Sequence, residues 1–263
     1  NIMEIRHPIV REVLNKFRLK GLDINSIADI PSGTGLGSSS SYTVGLLNAL
    51  YKYTGKTVSK EKLAIEACKV EINQLKEPIG KQDQFAASYG GLNLIRFFDN
   101  EKVIVEPIKL NENAIRIFQE SLLMFYTGVV RSASDILHEQ KSNIANDNDR
   151  FKYQLEMTAL VHEARQNLID SNFDKFGEIL DQNWKLKKKL SKKISNANFD
   201  DIYDLAKKNG AIGGKMLGAG GGGFFLFYCP KDKQNQLKSA MRGLKEIPFC
   251  FEEKGSKIID MRA

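Results

Sequence analysis

The sequence predicts an α+β protein, and two patterns support that prediction. Apolar residues recur at helical spacing near the start of the chain and again over residues 132–209. Short apolar runs at residues 92–98, 121–126 and 224–228 are bounded by turn-forming residues, which is typical of strands. No internal repeat or low-complexity linker divides the chain.

The first half of the chain is predicted as follows. A helix ends at Gly21 and has an apolar face made of Ile9, Val10, Val13, Leu14 and Phe17. Residues 22–30 predict a strand that leads through a glycine-rich loop into a helix reaching about residue 53. Ser59 is the predicted N-cap of the next helix, because its hydroxyl can accept a hydrogen bond from a free backbone N–H. Residues 92–98 and 103–108 predict paired strands joined by a turn at 99–100.

The second half begins with a buried strand at 121–126. Residues 132–209 predict helices, with breaks near 146–149 and 171–172. A strand at 224–228, a helix at 233–243 and strands at 248–252 and 256–261 follow. We place the boundary between two lobes near residues 111–113, which gives an N-terminal domain at 1–113 and a C-terminal domain at 114–263.

Composition excludes several classes of protein. No apolar run approaches the roughly 20 residues that span a bilayer, and no signal peptide opens the chain, so we expect a cytoplasmic protein without a membrane partner. Cys68, Cys229 and Cys250 are widely spaced, which argues against a disulfide framework or a zinc site. The few histidines are also far apart, so a metal cluster or a Ser-His-Asp hydrolase is poorly supported.

The net charge of +7 is partly concentrated in a lysine-rich segment at residues 185–193. Trp184, Leu186, Leu190 and Ile194 form an apolar stripe there, so most of these lysines are expected on the solvated faces of one helix. The alternative is a positive field that attracts ATP and an anionic sugar phosphate. Nucleic-acid binding is not supported, since no aromatic residues interleave with the lysines.

Two glycine-rich runs are the most informative motifs. Residues 31–41, PSGTGLGSSSS, lead into a helix that starts at the serines, and such a turn exposes backbone N–H groups to an anion, which we expect to be nucleotide phosphates. The run lacks the lysine of a Walker loop, and its third glycine comes one residue too early for a dinucleotide fingerprint. The second run, at residues 213–223, precedes an apolar strand, and close backbone approach is the natural reason for so many glycines.

Together, P-x-G-x-G-L-G-S-S-S and G-G-K-M-L-G-A-G-G-G-G-F resemble two motifs of the GHMP kinases, the superfamily of galactokinase, homoserine kinase, mevalonate kinase and phosphomevalonate kinase. Residues 71–84 are similar to the segment that carries the acidic residues of that superfamily. This segment and residues 125–134 are most similar to the D-glycero-D-manno-heptose 7-phosphate kinases. The resemblance implies a two-lobed fold with an N-terminal lobe like ribosomal protein S5 domain 2 and a ferredoxin-like C-terminal lobe.

The resemblance also implies the roles of individual residues. Asp83 matches the catalytic aspartate, and Ser38 and Glu71 match the positions that hold Mg²⁺. On their own, Glu71 would be read as a surface acid and Asp83 as a helix cap. ATP phosphates are expected at Pro31, Gly33, Gly35, Leu36, Gly37, Ser38, Ser39 and Ser40. Substrate is expected at Lys81, Gln82, Arg131, Gly218, Ala219, Gly220 and Gly221.

Chemistry supports two of these substrate residues. Arg131 can hold a sugar phosphate through a bidentate contact, although a surface arginine at a helix start is an equal alternative. Lys81 precedes Asp83 by two positions and could lower its pKa or contact an anionic substrate. Lys215 is either a substrate contact or a solvated side chain.

The resemblance has one gap. Members of the superfamily usually begin with a strand and a short glycine-rich motif that contacts the substrate, whereas this sequence opens on NIMEIRHP. We therefore expect the first several dozen family residues to be missing from it.

The sequence thus predicts an ATP- and Mg²⁺-dependent kinase. The expected reaction phosphorylates the anomeric hydroxyl of a heptose 7-phosphate, giving the 1,7-bisphosphate for nucleotide-heptose and surface polysaccharide synthesis. A kinase for fucose, galactose or a similar sugar, a non-catalytic nucleotide-binding module and a Rossmann-type oxidoreductase are the alternatives. The oligomeric state is open, with a homodimer as one option.

Overall fold

The computed structural model describes residues 2–259, and the chain divides into two units. The N-terminal unit comprises Asn1–Pro31, Gly37–Pro107 and Phe251–Ala263, and the C-terminal unit comprises Ser32–Leu36 and Ile108–Cys250. The division therefore crosses the first glycine-rich run between Leu36 and Gly37. The lobe boundary near residues 111–113 stays a prediction.

Helices make up most of the N-terminal unit. They are α1 (Pro8–Phe17), α2 (Ser38–Tyr53), α3 (Lys60–Cys68) and α4 (Gln82–Tyr89), with a π-helix at Lys69–Gln74 that continues α3. Strands β1 (Asn93–Phe97) and β2 (Val103–Pro107) form an antiparallel hairpin in which Asn93 faces Pro107. The predicted helices and the predicted strand pair are confirmed.

Local hydrogen bonds explain where these helices begin and end. Pro8 opens α1, and the ring of His7 accepts a hydrogen bond from the backbone N–H of Val10. The helix ends at Phe17 because Arg18 adopts the left-handed conformation, so the predicted end at Gly21 is wrong. Ser59 caps α3 as predicted, since its hydroxyl accepts from the N–H of Lys62 at 3.2 Å.

Residues 22–30 do not form the predicted strand. Within the described residues, β1 and β2 pair only with each other, which leaves this segment without a neighbouring strand. Its side chains are mostly exposed, and Ile27 is 97% exposed. A segment with strand-forming residues does not make a strand without backbone partners.

The core of the N-terminal unit fixes the elements that carry its polar side chains. It is built from the apolar faces of α1, α2 and α3 together with Val70 of the π-helix. Its buried members are Ile9, Val13, Leu14, Val44, Leu46, Leu47, Leu50, Tyr51, Leu63, Ala67 and Val70. The start of α2 and the π-helix are therefore anchored by the same packing.

The C-terminal unit combines one sheet with several helices. The helices are α5 (Glu112–Glu120), α6 (Ala133–Asn146), α7 (Asn148–Ile169), α8 (Phe173–Leu190), α9 (Ala197–Lys208) and α10 (Gln234–Ala240). The strands are β3 (Leu122–Tyr126), β4 (Gly213–Met216), β5 (Phe224–Tyr228) and β6 (Lys245–Glu246). They form an antiparallel sheet in the order β4-β5-β3-β6.

Most predictions for the second half of the chain are confirmed. The helical stretch breaks at Asp147 and at residues 170–172, as predicted, but a third break after Leu190 was not anticipated. Strand β4 was missed because it lies inside the glycine run, where strand formers are scarce. The strand at 248–252 and the described part of the strand at 256–261 are wrong, and residues 260–261 lie outside the described range.

An aromatic core holds α8 against this sheet. Trp184 is fully buried and its ring lies edge-on to Phe225 at 6.2 Å between centroids. Leu190 and Ile194 are also fully buried. Since Trp184, Lys187 and Leu190 are three residues apart, they share one face of α8, and that face is the buried one.

Within residues 2–259, no helix is both long enough and apolar enough to span a membrane.

Candidate active site

Glu71 is the most unusual acidic residue of the N-terminal unit, because it is fully buried. It lies in the π-helix Lys69–Gln74, where the N–H of Leu75 donates to the carbonyl of Val70 at 3.0 Å. A π-turn is often associated with a functional site, since it changes the direction in which side chains project. The interpretation of Glu71 as a surface acid is therefore wrong.

Two neutral side chains hold the carboxylate of Glu71. The hydroxyl of Ser39 donates to Oε1 at 2.5 Å, and the amide Nε2 of Gln84 donates to Oε2 at 2.6 Å. None of the ion pairs described among residues 2–259 includes Glu71. A buried carboxylate without a basic partner is costly, and a bound cation would offset that cost.

The oxygen atoms around Glu71 suit Mg²⁺. The amide Oε1 of Gln84 is buried and has no hydrogen-bond donor among the described residues. Carboxylate, amide and hydroxyl oxygens are hard donors of the kind that Mg²⁺ prefers. No group of three or more His, Cys, Asp and Glu side chains in the described part of the chain could hold a metal, so further ligands would come from phosphate or water.

Ser39, rather than Ser38, is the serine that contacts Glu71. Ser38 is the first residue of α2, and no described hydrogen bond joins its side chain to Glu71. The position of Ser39 is fixed in turn by the hydroxyl of Thr43, which donates to the Ser39 carbonyl at 3.0 Å. Ser40 is buried. Ser38 as a metal ligand therefore stays a prediction, and Ser39 is a second candidate.

Asp83 lies in the first turn of α4 and is half-buried. Burial raises the pKa of its carboxyl group above the ordinary value, against a smaller opposing effect of the hydrogen bond from Gln82. That bond, from Nε2 of Gln82 to Oδ1 of Asp83, is 3.2 Å long. Helix α4 has Lys81 as its N-cap residue and no side-chain cap hydrogen bond, so Asp83 does not act as a cap.

Lys81 forms an ion pair with Glu101 in the turn between β1 and β2. Of the two roles left open for Lys81, a lowered pKa of Asp83 is not supported, because burial raises that pKa and the opposing effect comes from Gln82. Contact between Lys81 and a substrate stays a prediction.

Gly37 brings the end of the first glycine-rich run against Asp83. Its φ is +66°, and a Cβ atom there would lie 3.1 Å from Cγ of Asp83. Gly37 is also the N-cap residue of α2, which has no side-chain cap hydrogen bond. The first N–H groups of α2 thus lack a capping side chain, and they can bind an anion.

Residues 32–36 of the first glycine-rich run belong to the C-terminal unit. A Cβ atom on Gly35, whose φ is +84°, would lie 2.7 Å from the Leu217 carbonyl oxygen and 3.1 Å from Nη2 of Arg131. The N–H of Arg131 donates to the carbonyl of Gly33 at 3.4 Å. The two glycine-rich runs and Arg131 are therefore brought together, which spacing in the sequence could not establish.

Arg131 has an unusual environment. Its Nε, Nη1 and Nη2 atoms are all buried and have no hydrogen-bond partner among the described residues. Burial alone lowers the pKa of its guanidinium group. A buried cation without hydrogen bonds is unfavourable, so this environment favours a bound anion.

The remaining predicted residues are distributed as follows. In the second glycine-rich run, Gly218 is exposed, Ala219 and Gly220 are buried, and the N–H of Gly221 donates to the Ile194 carbonyl at 2.8 Å. Pro31 and Gly33 are exposed and Leu36 is half-buried. The sequence analysis did not identify Gln84 as a site residue. Its position next to Asp83 was the signal that could have indicated it.

Comparisons with known proteins give the same assignment. The model "GHMP kinases N terminal domain" matches residues 5–91, and "GHMP kinases C terminal" matches residues 164–245. A D-glycero-alpha-D-manno-heptose 7-phosphate kinase from Campylobacter jejuni is 31% identical over 97% of this chain and 76% of its own length. The chain belongs to the GHMP kinase family. The predicted GHMP-kinase fold and the prediction of a phosphotransferase are confirmed.

Other relatives share the fold with different acceptors in their names. The crystal structure of a D-glycero-D-manno-heptose 1-phosphate kinase from Bacteroides thetaiotaomicron has a TM-score of 0.70 and 25% identity, covering 96% of this chain and 74% of that one. A galactokinase from Pyrococcus furiosus is 28% identical over 92% of this chain and 74% of its own length. GHMP kinases use ATP as the phosphoryl donor, as the sequence predicted.

Proposed function

We propose that this sugar kinase transfers the γ-phosphoryl group of ATP to the anomeric hydroxyl of D-glycero-D-manno-heptose 7-phosphate. The product would be the 1,7-bisphosphate, an intermediate for nucleotide-heptose and surface polysaccharide synthesis. Two relatives with high coverage are named as heptose phosphate kinases. Their names put the acceptor's phosphate at different positions, but both acceptors are heptose monophosphates.

The observation that supports a phosphorylated acceptor is the buried, unpartnered guanidinium of Arg131. A planar guanidinium binds a phosphate through two parallel hydrogen bonds. A neutral sugar carries no negative charge that could offset the cost of burying the guanidinium group of Arg131. The galactokinase and fucokinase relatives make an unphosphorylated sugar the second candidate.

The N-terminal unit supplies the groups that the transfer requires. In this proposal the acceptor hydroxyl oxygen attacks the γ-phosphorus, the bond from that phosphorus to the β–γ bridging oxygen breaks, and ADP leaves. Asp83 orients the hydroxyl and accepts its proton, and its raised pKa makes it a stronger base than an ordinary aspartate. The N-terminal N–H groups of α2 hold the phosphates of ATP.

Glu71, with Ser39 and Gln84 or with Ser38, would hold Mg²⁺ in this arrangement. When bound, the cation offsets negative charge on the β- and γ-phosphates. Glu71 also orders Ser39 and Gln84 directly, since it accepts a hydrogen bond from each.

A screen of ADP release tests the proposal. Purified protein is assayed with ATP and Mg²⁺ against heptose 7-phosphate, heptose 1-phosphate, fucose, galactose, mevalonate and homoserine. We expect kcat/KM to be highest for heptose 7-phosphate. A higher value for an unphosphorylated sugar would reject the proposed acceptor, and ADP release with none of these compounds would reject the proposed reaction.

A further inference from the structure

Lys187 is a buried lysine to which the proposed reaction assigns no role. It lies in a segment rich in lysine, yet only 8% of it is exposed, because it shares the face of α8 that carries Trp184 and Leu190. Lys187 is an exception to the prediction that most lysines of this segment lie on solvated faces. Lys185 and Lys188, by contrast, form ion pairs with Asp181 and Asp200.

The ammonium group of Lys187 reaches the second glycine-rich run, where it donates to the carbonyl of Gly218. A Cβ atom on Gly218 would lie 2.6 Å from Cα of Gly35, and Gly35 in turn lies against Nη2 of Arg131. Lys187 and Arg131 are therefore linked through two glycines of the C-terminal unit. Since glycines have no side chains, these two residues place only backbone atoms between the two cationic side chains.

Lys215 belongs to the same group of cations, because it lies in β4 two residues before Leu217, whose carbonyl oxygen would be 2.7 Å from a Cβ atom on Gly35. Burial is the main cause that lowers the pKa of Lys187, and the positive charges of Lys215 and Arg131 add to it. Lys215 keeps part of its side chain at the surface, but desolvation lowers the pKa of its ammonium group too. We call Arg131, Lys187 and Lys215 the cation cluster.

The cation cluster has no acidic counterpart. None of the ion pairs described among residues 2–259 includes Arg131, Lys187 or Lys215. Like charges in a desolvated setting repel one another and lose hydration, so the arrangement is unfavourable without a ligand. A multiply charged anion would compensate all three groups.

We propose that Lys187 and Lys215, together with Arg131, bind the phosphate that the acceptor already carries and so select a phosphorylated sugar. This inference rests on the proposed function. A phosphate monoester carries a charge of about −1.5 to −2 at neutral pH, which suits a cluster of three cations. ATP is the competing source of phosphate, but Mg²⁺ accompanies its phosphates, and the cluster lacks the oxygen ligands that surround Glu71 in the N-terminal unit.

Lys187→Met and Lys215→Met test this proposal, with Lys189→Met as the matched control. Lys189 lies on the same helix as Lys187 but is exposed, with its ammonium group 4.6 Å from the ring centroid of Tyr153. The control therefore removes one positive charge from α8 without touching the cluster. Each variant is measured for KM toward heptose 7-phosphate, KM toward ATP, and melting temperature with and without inorganic phosphate.

We expect Lys187→Met to raise KM for the sugar phosphate on the order of 10- to 100-fold, as the loss of a charged hydrogen bond does. Lys215→Met should act in the same direction, while KM for ATP stays within about 2-fold of the wild type, well below the loss of one such bond. Inorganic phosphate should raise the melting temperature of the wild type and of Lys189→Met, but not that of Lys187→Met.

Three results would overturn the inference. The first is an unchanged KM for the sugar phosphate in both cluster variants. The second is a rise in KM for ATP while KM for the sugar phosphate stays unchanged, which would make the cluster a nucleotide site. The third is a Lys187→Met protein that melts lower without phosphate but keeps the full phosphate-induced shift, which would make Lys187 a support for Gly218 only. The melting experiment needs no sugar substrate, so it tests phosphate binding by the cluster even if the proposed acceptor is wrong, and the two KM values separate an acceptor site from a nucleotide site.

Discussion

Replacing Asp83 with asparagine separates a catalytic role from a structural one. The carboxylate makes one described hydrogen bond, to the exposed side chain of Gln82, and none to the backbone of α4. Its removal should therefore cost little stability. If Asp83 orients and deprotonates the acceptor hydroxyl, Asp83→Asn should lower kcat by about 10²- to 10⁴-fold, the range for positioned general bases.

The raised pKa of Asp83 fixes the sign of the stability change. Because the folded protein binds this proton more tightly than the unfolded chain, the stability that Asp83 contributes is present below the unfolded pKa and is lost as pH rises through the folded pKa. Above its folded pKa, the ionised and desolvated carboxylate is therefore unfavourable to folding. Asp83→Asn should melt at the same temperature as the wild type or higher.

The assay measures kcat, the dissociation constant for ATP and the melting temperature on one sample. Glu61→Gln is the matched control, since Glu61 is the second residue of α3, as Asp83 is of α4, but is exposed. In the wild type, kcat should fall as pH drops through the raised pKa of Asp83, and Asp83→Asn should lack that limb. A near-normal kcat in folded Asp83→Asn protein would refute the reasoning.

Further predictions concern the proposed Mg²⁺ site around Glu71 and the first glycine-rich run. Glu71→Gln removes a buried negative oxygen and should raise the Mg²⁺ concentration for half-maximal rate, while an unchanged Mg²⁺ dependence would place the ligand elsewhere. Ser39→Ala should raise that concentration more than Ser38→Ala, and the reverse order would restore Ser38 as the ligand. Gly35→Val should weaken ATP binding at least about 10-fold in calorimetry, because its side chain would meet the Leu217 carbonyl and adopt a strained φ. Gly45→Ala, with open space at its Cβ position, should bind ATP normally.

Local chemistry made several elements predictable from the sequence. Serine hydroxyls and glycines marked the start of α2 and of α3, and two short apolar runs around a turn marked the β1–β2 hairpin. These features depend on neighbours in the chain, so a single sequence carries them. The matched motifs likewise pointed to Glu71 and Asp83 as a pair in one segment.

Features that depend on tertiary packing were not predictable. Glu71 is buried in a π-helix, and the composition of residues 69–74 does not predict that π-helix. The burial of Lys187 follows from its spacing to Trp184, but the lysine-rich segment concealed that signal. The pKa direction of Asp83 depends on burial, which outweighs the effect of the hydrogen bond from Gln82.

The position of the new phosphate tests the central claim most directly. Heptose 7-phosphate is incubated with ATP, Mg²⁺ and the enzyme, and the product is examined by phosphorus NMR coupled to the proton at carbon 1. We predict a second phosphorus signal that couples to the anomeric proton, with the original 7-phosphate unchanged. A new phosphate on any other carbon, or ATP consumption without a bisphosphate, would contradict the account.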